Sequence, residues 1–118
     1  MLIGQSVIAP SGAAATYYSP WFPRVGDSVK ATIQYLNKSG ALSTFSCQVV
    51  TKNNEDSDAS QSNLGSSFSI ATTSLGDVTT SATLSGCKEL VRYVISLMAS
   101  SGTEWVHFRI NAPIWLPN

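Results

Sequence analysis

The single histidine, His107, is the residue on which acid–base or nucleophilic catalysis would depend. A Ser-His-Asp site needs a histidine as general base beside a serine. The chain is rich in serine but contains no Gly-x-Ser-x-Gly motif. His107 alternates with Trp105 and Arg109, which is typical of side chains on one face of a strand. The sequence therefore favours a protein that is not an enzyme.

Acidic side chains raise two further possibilities, a glycosidase pair and a calcium site. Glycoside hydrolysis needs two carboxyl groups that flank a cleft, but Asp27, Asp77 and Glu104 fall at expected turns or strand starts. Residues 53–58 offer the hard oxygen ligands that calcium prefers, without the spacing of an EF-hand loop. One histidine and two cysteines do not make a typical zinc site. We expect no catalytic residues, no metal and no cofactor, and a solvated loop at 53–58 rather than a calcium loop.

The segment from Tyr17 to Arg24 contains four aromatic residues and two prolines within eight positions. Tyr, Trp and Arg dominate protein interfaces, and proline reduces the entropy that a segment loses on contact. The same aromatic side chains could instead close one end of a core or stack on a sugar ring. A second apolar group, Ile114 to Leu116, lies near the C-terminus between two prolines.

We expect these two arms to be buried mainly against other chains. The alternating strands already supply a full row of inward side chains, and adding Trp21, Phe22 and the three tail residues would overfill the core. In water the same groups would form an apolar patch that monomers rarely tolerate. The predicted interface residues are Tyr17, Tyr18, Trp21, Phe22, Arg24, Ile114, Trp115 and Leu116.

The two arms must be held by a folded domain, and the composition indicates that this domain is all-β. The chain holds 19 serines and 10 threonines among 118 residues, and only 12% of its residues are charged, against about 25% usually. Threonine suits strands and serine suits turns. Alternation of apolar and polar residues predicts strands at Gln5–Ala9, Ala13–Tyr18, Ser28–Leu36, Ser43–Thr51, Phe68–Thr73, Val78–Leu84, Glu89–Ala99 and Glu104–Asn111.

These seven or eight strands predict one domain over residues 1–118, an antiparallel β-sandwich of immunoglobulin-like or jelly-roll type. The pattern does not choose between the two topologies. Residues 89–99 also fit a helix, but their β-branched residues favour a strand. In the strand 78–84, we expect Val78, Thr80, Ala82 and Leu84 to share one face.

The connections follow from turn residues. Residues 37–40 predict a hairpin between the strands 28–36 and 43–51, and residues 100–103 predict another. Residues 52–67 lack periodicity and are expected to form a long mobile loop. The Pro-rich arm covers about residues 10–26, and the tail 112–118 can only be an edge strand or irregular because of its prolines.

Cys47 and Cys87 are the only cysteines, and Arg24 is the first basic residue. A secretory signal needs an early basic region and an unbroken apolar core. We therefore expect synthesis in the cytoplasm without a signal peptide, and two reduced thiols rather than a disulfide, although the pairing stays open.

The net charge of zero excludes nucleic-acid binding driven by bulk charge and a polybasic membrane-surface protein. No apolar run is long enough to span a bilayer. The remaining hypothesis is a structural protein that packs against protein subunits, as a homo-oligomer or larger assembly. Its exterior-type composition resembles, in general type only, virus or phage particle proteins, so we expect it in a virion or other extracellular particle. The alternative is a carbohydrate- or cell-surface-binding sandwich, for which sugar would be the partner.

Overall fold

The computed structural model describes residues 15–40, 44–98 and 104–117, and the backbone of residues 6–10. The predicted all-β class is confirmed, because these residues form antiparallel strands and a single turn of 3-10 helix at Asp58–Ser60. The strands are β1 Ser6–Pro10, β2 Ala15–Tyr18, β3 Phe22–Pro23, β4 Ser28–Lys30, β5 Thr32–Lys38, β6 Thr44–Lys52, β7 Ser62–Asn63, β8 Phe68–Ser69, β9 Val78–Thr80, β10 Leu84–Ser85, β11 Leu90–Met98, β12 Trp105–Ile110 and β13 Ile114–Leu116.

The first sheet has the order β1-β12-β5-β9 and continues into a three-stranded part, β13-β4-β10. The two parts share their chain path, since β4 runs into β5 through Ala31 and β12 runs into β13. Backbone hydrogen bonds bridge the junction, from Ser81 N to Ala31 O at 2.9 Å and from Asn111 N to Thr32 O at 3.1 Å. Both parts therefore act as one bent sheet.

The second sheet has β11 and β6 at its centre. On one side β2 and β3 pair with β11, and on the other β7 and β8 pair with β6. The thirteen described strands reduce to eight strand positions when five consecutive pairs are each counted as one, namely β2 with β3, β4 with β5, β7 with β8, β9 with β10 and β12 with β13. Their orders are 1-8-3-6 in the first sheet and 2-7-4-5 in the second. This is the double Greek key of a jelly roll, which resolves the topology that the sequence left open.

The core lies between the two sheets. Phe108 of the first sheet contacts Tyr17 and Phe45 of the second, with ring centroids 6.0 and 5.7 Å apart in edge-to-face geometry. The alternation of the predicted strands places fourteen large side chains inward, and all of them are buried except Phe68, which is half-buried. The buried members are Val29, Ile33, Tyr35, Phe45, Val49, Ile70, Leu84, Val91, Tyr93, Ile95, Val106, Phe108 and Ile110.

Both predicted hairpins are wrong. β5 pairs with β12 and β9, whereas β6 pairs with β11, so the turn at 37–40 leads from one sheet to the other. β11 and β12 likewise lie in different sheets, and residues 100–103 themselves fall outside the described residues. Alternation shows which face of a strand is buried, but it does not say which strand lies beside it.

The predicted strand 78–84 is also wrong in its bounds and in the expectation that its four alternate residues share one face, because Leu84 alone of the four is buried. It is split into β9 and β10, and Val78, Thr80 and Ala82 are exposed while Ser81 is buried. The reason is local hydrogen bonding, because the Ser81 hydroxyl accepts from Ala31 N at 2.9 Å and donates to Ala82 O at 2.8 Å. A serine that satisfies backbone groups at a bend can be buried in place of an apolar residue.

The segment 52–67 contains more structure than predicted. Lys52 ends β6, β7 pairs with β6, and buried Leu64 donates its N–H to Val49 O at 2.8 Å. Its mobility stays a prediction. The prediction for the tail is confirmed, because β13, between Pro113 and Pro117, lies at a sheet edge and pairs with β4 alone among the described strands.

We expect Phe108→Ala to lower the free energy of unfolding by about 3–5 kcal/mol, because it removes the ring that joins the two sheets and leaves a cavity. Val78→Ala is the control, since Val78 is 54% exposed and should change stability by less than about 0.5 kcal/mol. Urea unfolding followed by circular dichroism measures both. Equal effects of the two substitutions would contradict the assignment of Phe108 to the core.

Candidate functional site

Some of the predicted interface residues pack against the core between the sheets, and others lie on the outer surface of the sandwich. Tyr17, Phe22 and Trp115 pack against the core, and Phe22 contacts Tyr93 and Trp115 at centroid distances of 5.4 and 6.3 Å. Phe22 and Trp115 therefore close one end of the sandwich. Phe22 lies opposite the inward residue Val91, and Trp115 lies opposite the inward residue Val29, so both are half-buried against the protein's own core. Burial of the two arms against other chains stays a prediction.

The N-terminal arm and the tail meet at this end. A Cβ atom placed on Gly26 would lie 2.6 Å from the carbonyl oxygen of Leu116, so only glycine allows the two backbones to approach so closely. Ile114 and Leu116 alternate with Trp115 and share the outer face of β13. Ile114 is 46% exposed, and Val25, next to Gly26, is 75% exposed. We call Val25, Ile114 and Leu116 the apolar strip.

Tyr18 and Trp21 face outward, onto the outer side of the second sheet, and each packs against a cation. The Arg92 Cζ atom lies 4.4 Å from the Trp21 ring centroid and 4.5 Å from that of Tyr18. The Lys52 Nζ atom lies 4.9 Å from the Trp21 centroid. These distances are within the range of cation–π attraction.

Asp58 joins the same group of side chains. Its Oδ1 accepts hydrogen bonds from Lys52 Nζ at 2.8 Å and Trp21 Nε1 at 3.2 Å, and its Oδ2 lies 3.6 Å from Arg92 Nη1. Arg92 Nη2 also donates to Gln61 Oε1 at 2.8 Å. We call Tyr18, Trp21, Lys52, Asp58, Gln61 and Arg92 the Arg92 cluster. It holds the turn at 57–61 against the outer face of β6 and β11.

Electrostatics inside the cluster favour the charged form of Asp58. The hydrogen bond from Lys52 lowers the pKa of the Asp58 carboxyl, and the charges of Lys52 and Arg92 lower it further. The sequence analysis missed Lys52, Asp58 and Arg92. The one available signal was Arg92, an arginine between the inward residues Val91 and Tyr93 on a strand, which had to face outward beside the aromatic arm.

Asp58 is thus engaged by two cations and is not presented as a calcium ligand. Asp56 Oδ2 accepts from Asn53 N, and Glu89 Oε1 accepts from Asn54 N. Within ranges 15–40, 44–98 and 104–117, no group of three or more His, Cys, Asp or Glu side chains is placed to hold a metal ion.

Arg24 lies in a separate place, at a cleft of about 260 Å³. Its Nη1 donates to Cys87 O at 3.0 Å and lies 3.7 Å from Asp27 Oδ1. The cleft is lined by Arg24, Asp27, Ser28, Ser85, Gly86 and Cys87. Arg24 therefore fastens the start of β4 to the segment before β11, rather than extending the aromatic surface.

Both cysteines are buried free thiols, as predicted. Burial raises the pKa of Cys47 to about 12, since desolvation disfavours the thiolate. Burial also raises the pKa of Cys87, against an opposing effect of the Arg24 charge. Both thiols are therefore protonated near neutral pH.

No protein-family model matches this chain, and a search of curated proteins found no match. The structure contains, among its described residues, no helix that is long and apolar enough to cross a membrane.

We predict that Asp58→Asn changes the acid dependence of stability. Because the folded-state pKa lies below its ordinary value of 3.8, the stabilisation by Asp58 is present above that pH and is lost as the pH falls through the folded-state pKa. Urea unfolding from pH 7 to pH 2 should show the wild-type advantage over Asp58→Asn shrinking in acid. Glu55→Gln, in the same loop, is the control, and an Asp58→Asn curve parallel to wild type at every pH would refute the cluster.

The position of Cys87 at the cleft predicts which of the two cysteine thiols is labelled first. In the native protein at pH 8, Cys87 should react with a maleimide before Cys47, because Cys87 lines the cleft whereas Cys47 is fully buried. Mass spectrometry of peptides measures the order, with Cys87→Ser as the control and guanidinium-unfolded protein as the reference for both sites. Earlier labelling of Cys47 would contradict the packing of β6.

Proposed function

We propose that this protein is a structural subunit that acts by packing against copies of itself or against other subunits, as a capsid, decoration or tail accessory protein of a virus or phage particle. The jelly-roll sandwich occurs in capsid domains and also in lectins, so the fold alone does not decide. The observation that carries the proposal is the apolar strip, which the protein's own core leaves uncovered.

The strip supports contact through side chains rather than through strand addition. β13 is a sheet edge of three residues, and Pro113 and Pro117 limit the backbone groups available to a further strand. Ile114 and Val25 instead offer apolar surface, at about 25 cal/mol for each Å² removed from water. A short, Pro-limited edge beside exposed aliphatic residues favours a defined lateral contact over open-ended strand pairing.

The charge balance supports the same proposal. The chain has seven basic and seven acidic residues and a formal net charge of zero, so long-range repulsion does not oppose the packing of many copies. A low share of charged residues is also what the buried part of an interface requires.

The Arg92 cluster does not favour the carbohydrate alternative. A sugar ring would need an open face of Trp21 or Tyr18. Both rings pack against the Arg92 guanidinium, and only Tyr18 is more than half exposed, at 51%. Trp21 also contacts the Lys52 ammonium. These cations occupy ring surface that a stacking ligand would use, and the rings instead hold the 57–61 turn in place.

We expect the wild-type protein to sediment as an assembly larger than a monomer, and Ile114→Asp to sediment as a smaller species at the same concentration. The carboxylate would have to lose its water within the contact, which is unfavourable. Leu75→Asp is the matched control, because Leu75 is an exposed aliphatic residue on a turn outside the strip, 72% exposed.

Circular dichroism must show that both variants stay folded. Loss of assembly in Ile114→Asp, with wild-type behaviour of Leu75→Asp, supports the proposal. A wild-type protein that remains monomeric to about 1 mM, beyond the range of ordinary specific contacts, would overturn the proposed packing against copies of itself.

A further inference from the structure

We infer that the cleft beside Arg24 binds a small zwitterion, a molecule such as a free amino acid that carries a carboxylate and an ammonium group close together. Arg24 binds the carboxylate, and Asp27 binds the ammonium group. The inference does not depend on the proposed function, because one chain forms the whole cleft and no second subunit is needed.

Two segments form the walls of the cleft, one leading from Arg24 into β4 and the other beginning with β10. Ser28 of β4 is directly opposite Ser85 of β10 in the strand register. Just beyond the pair, Cys87 N donates to Asp27 O at 3.3 Å. Backbone contacts therefore hold the two walls together before any ligand binds, and such preorganisation reduces the entropy that binding costs.

The residue Gly86 keeps space open in the cleft. Its φ of +89° lies in the left-handed region that favours glycine. A Cβ atom placed on Gly86 would have no heavy atom of the described chain within 4 Å, apart from its two neighbours. The cleft measures about 260 Å³, whereas pockets for drug-sized ligands measure about 300–1,000 Å³. Its ligand is therefore a small molecule.

The Arg24 guanidinium supplies donors for a carboxylate. A guanidinium carries five N–H donors, and Nη1 of Arg24 donates to Cys87 O at 3.0 Å. This bond holds the side chain at the cleft, and its other edge remains available. The Asp27 carboxylate lies 3.7 Å from Nη1, which is too long for a hydrogen bond. A ligand carboxylate that accepts two N–H groups of Arg24 makes the stronger, bidentate contact.

A serine hydroxyl adds a second type of donor. The Ser28 side chain is buried, and its Oγ donates to Ser85 Oγ at 3.2 Å. Each hydroxyl has a single proton, so Ser85 accepts from Ser28 and keeps its own proton for another acceptor. Ser85 and Arg24 both line the cleft. Two donors on opposite walls are thus available to the oxygens of one carboxylate.

The position of Asp27 selects a zwitterion over a simple anion. Its carboxylate, 63% exposed, lies beside the guanidinium and would repel a ligand that carried only negative charge. A ligand with only positive charge would be repelled by Arg24 in the same way. An exposed ion pair such as Arg24 with Asp27 contributes little stability, so it can open. An α-amino acid offers each of these side chains an opposite charge.

The small size of the ligand and the exposure of the two charges predict weak binding. Few ligand atoms make few contacts, so we expect a Kd on the order of 1 mM for glycine. Glycine is the smallest amino acid and is zwitterionic at pH 7. Acetate shares only its carboxylate, and methylammonium shares only its ammonium group. These three probes therefore separate the two charges of the proposed ligand.

The test is a titration followed by amide chemical shifts in two-dimensional nuclear magnetic resonance, with each probe raised to about 100 mM at pH 7. Glycine should shift the Gly86 and Cys87 amides with saturation. Acetate and methylammonium should each bind at least about tenfold more weakly, because each leaves one charge of the cleft unpaired. Sodium chloride at equal concentration controls for ionic strength. Saturating glycine should also slow the reaction of Cys87 with a maleimide.

Two substitutions assign the binding to the charged pair. Arg24→Gln should weaken glycine binding about tenfold or more, through loss of the charge-assisted hydrogen bonds. Asp27→Asn should weaken glycine severalfold and strengthen acetate, because the repulsion of the anion is removed. Arg109→Gln and Asp77→Asn are the matched controls, since neither residue lines the cleft. Circular dichroism checks that all four variants are folded.

Saturable glycine binding that both cleft variants weaken, with acetate strengthened in Asp27→Asn, supports the inference. Acetate that binds the wild type as tightly as glycine would show a simple anion site and overturn it. Unchanged glycine binding in folded Arg24→Gln, or no saturable shift up to about 100 mM, would also overturn it. The oligomeric state of the wild type does not enter these outcomes, so the proposed function stands or falls separately.

Discussion

The contact of Phe108 with Tyr17 and Phe45 joins the two sheets, and the rest of the structure depends on it. Neither sheet can bury its apolar face alone, because the inward side chains of its strands stay in water until the other sheet covers them. Most connections pass from one sheet to the other, so local hairpins contribute little and the sandwich must close as a whole. This closure brings Phe22 and Trp115 together at one end, and with them the arm and the tail.

Closure of the core also determines what remains outside. Because successive side chains of a strand point to opposite faces of the sheet, the residues between the inward ones face outward. On the first sheet this places His107 and Arg109 outside, and on the second it places Thr16, Ser46 and Ser96 in one row. The Arg92 cluster confines the charge of the second face to one end. The outer faces of the two sheets therefore have different chemistry.

The sequence predicted what a period of two can predict, namely the strands and their inward residues, including the ambiguous strand around Val94. It could not predict which strands pair, because the strands that contain Tyr35 and Phe45 would show the same alternation whether they lay in one sheet or in two. It wrongly predicted one continuous strand over residues 78–84, because the bend at Ser81 is set by hydrogen bonds that leave no periodic signal. The Arg92 cluster needed residues from four separate segments, and only the strand register brings them together. The aromatic arm was recognisable from composition, but its division into inward Phe22 and outward Trp21 was not.

The position of β11 between β2 and β6 places Tyr17 and Phe45 together against Phe108, and the core depends on it. Nuclear Overhauser contacts between backbone protons test this strand order directly. We expect Ser96 to show cross-strand contacts to both Thr16 and Ser46, and β5 to show them to β12. Cross-strand contacts between β11 and β12, or between β5 and β6, would show sequential hairpins instead and would rule out this strand order.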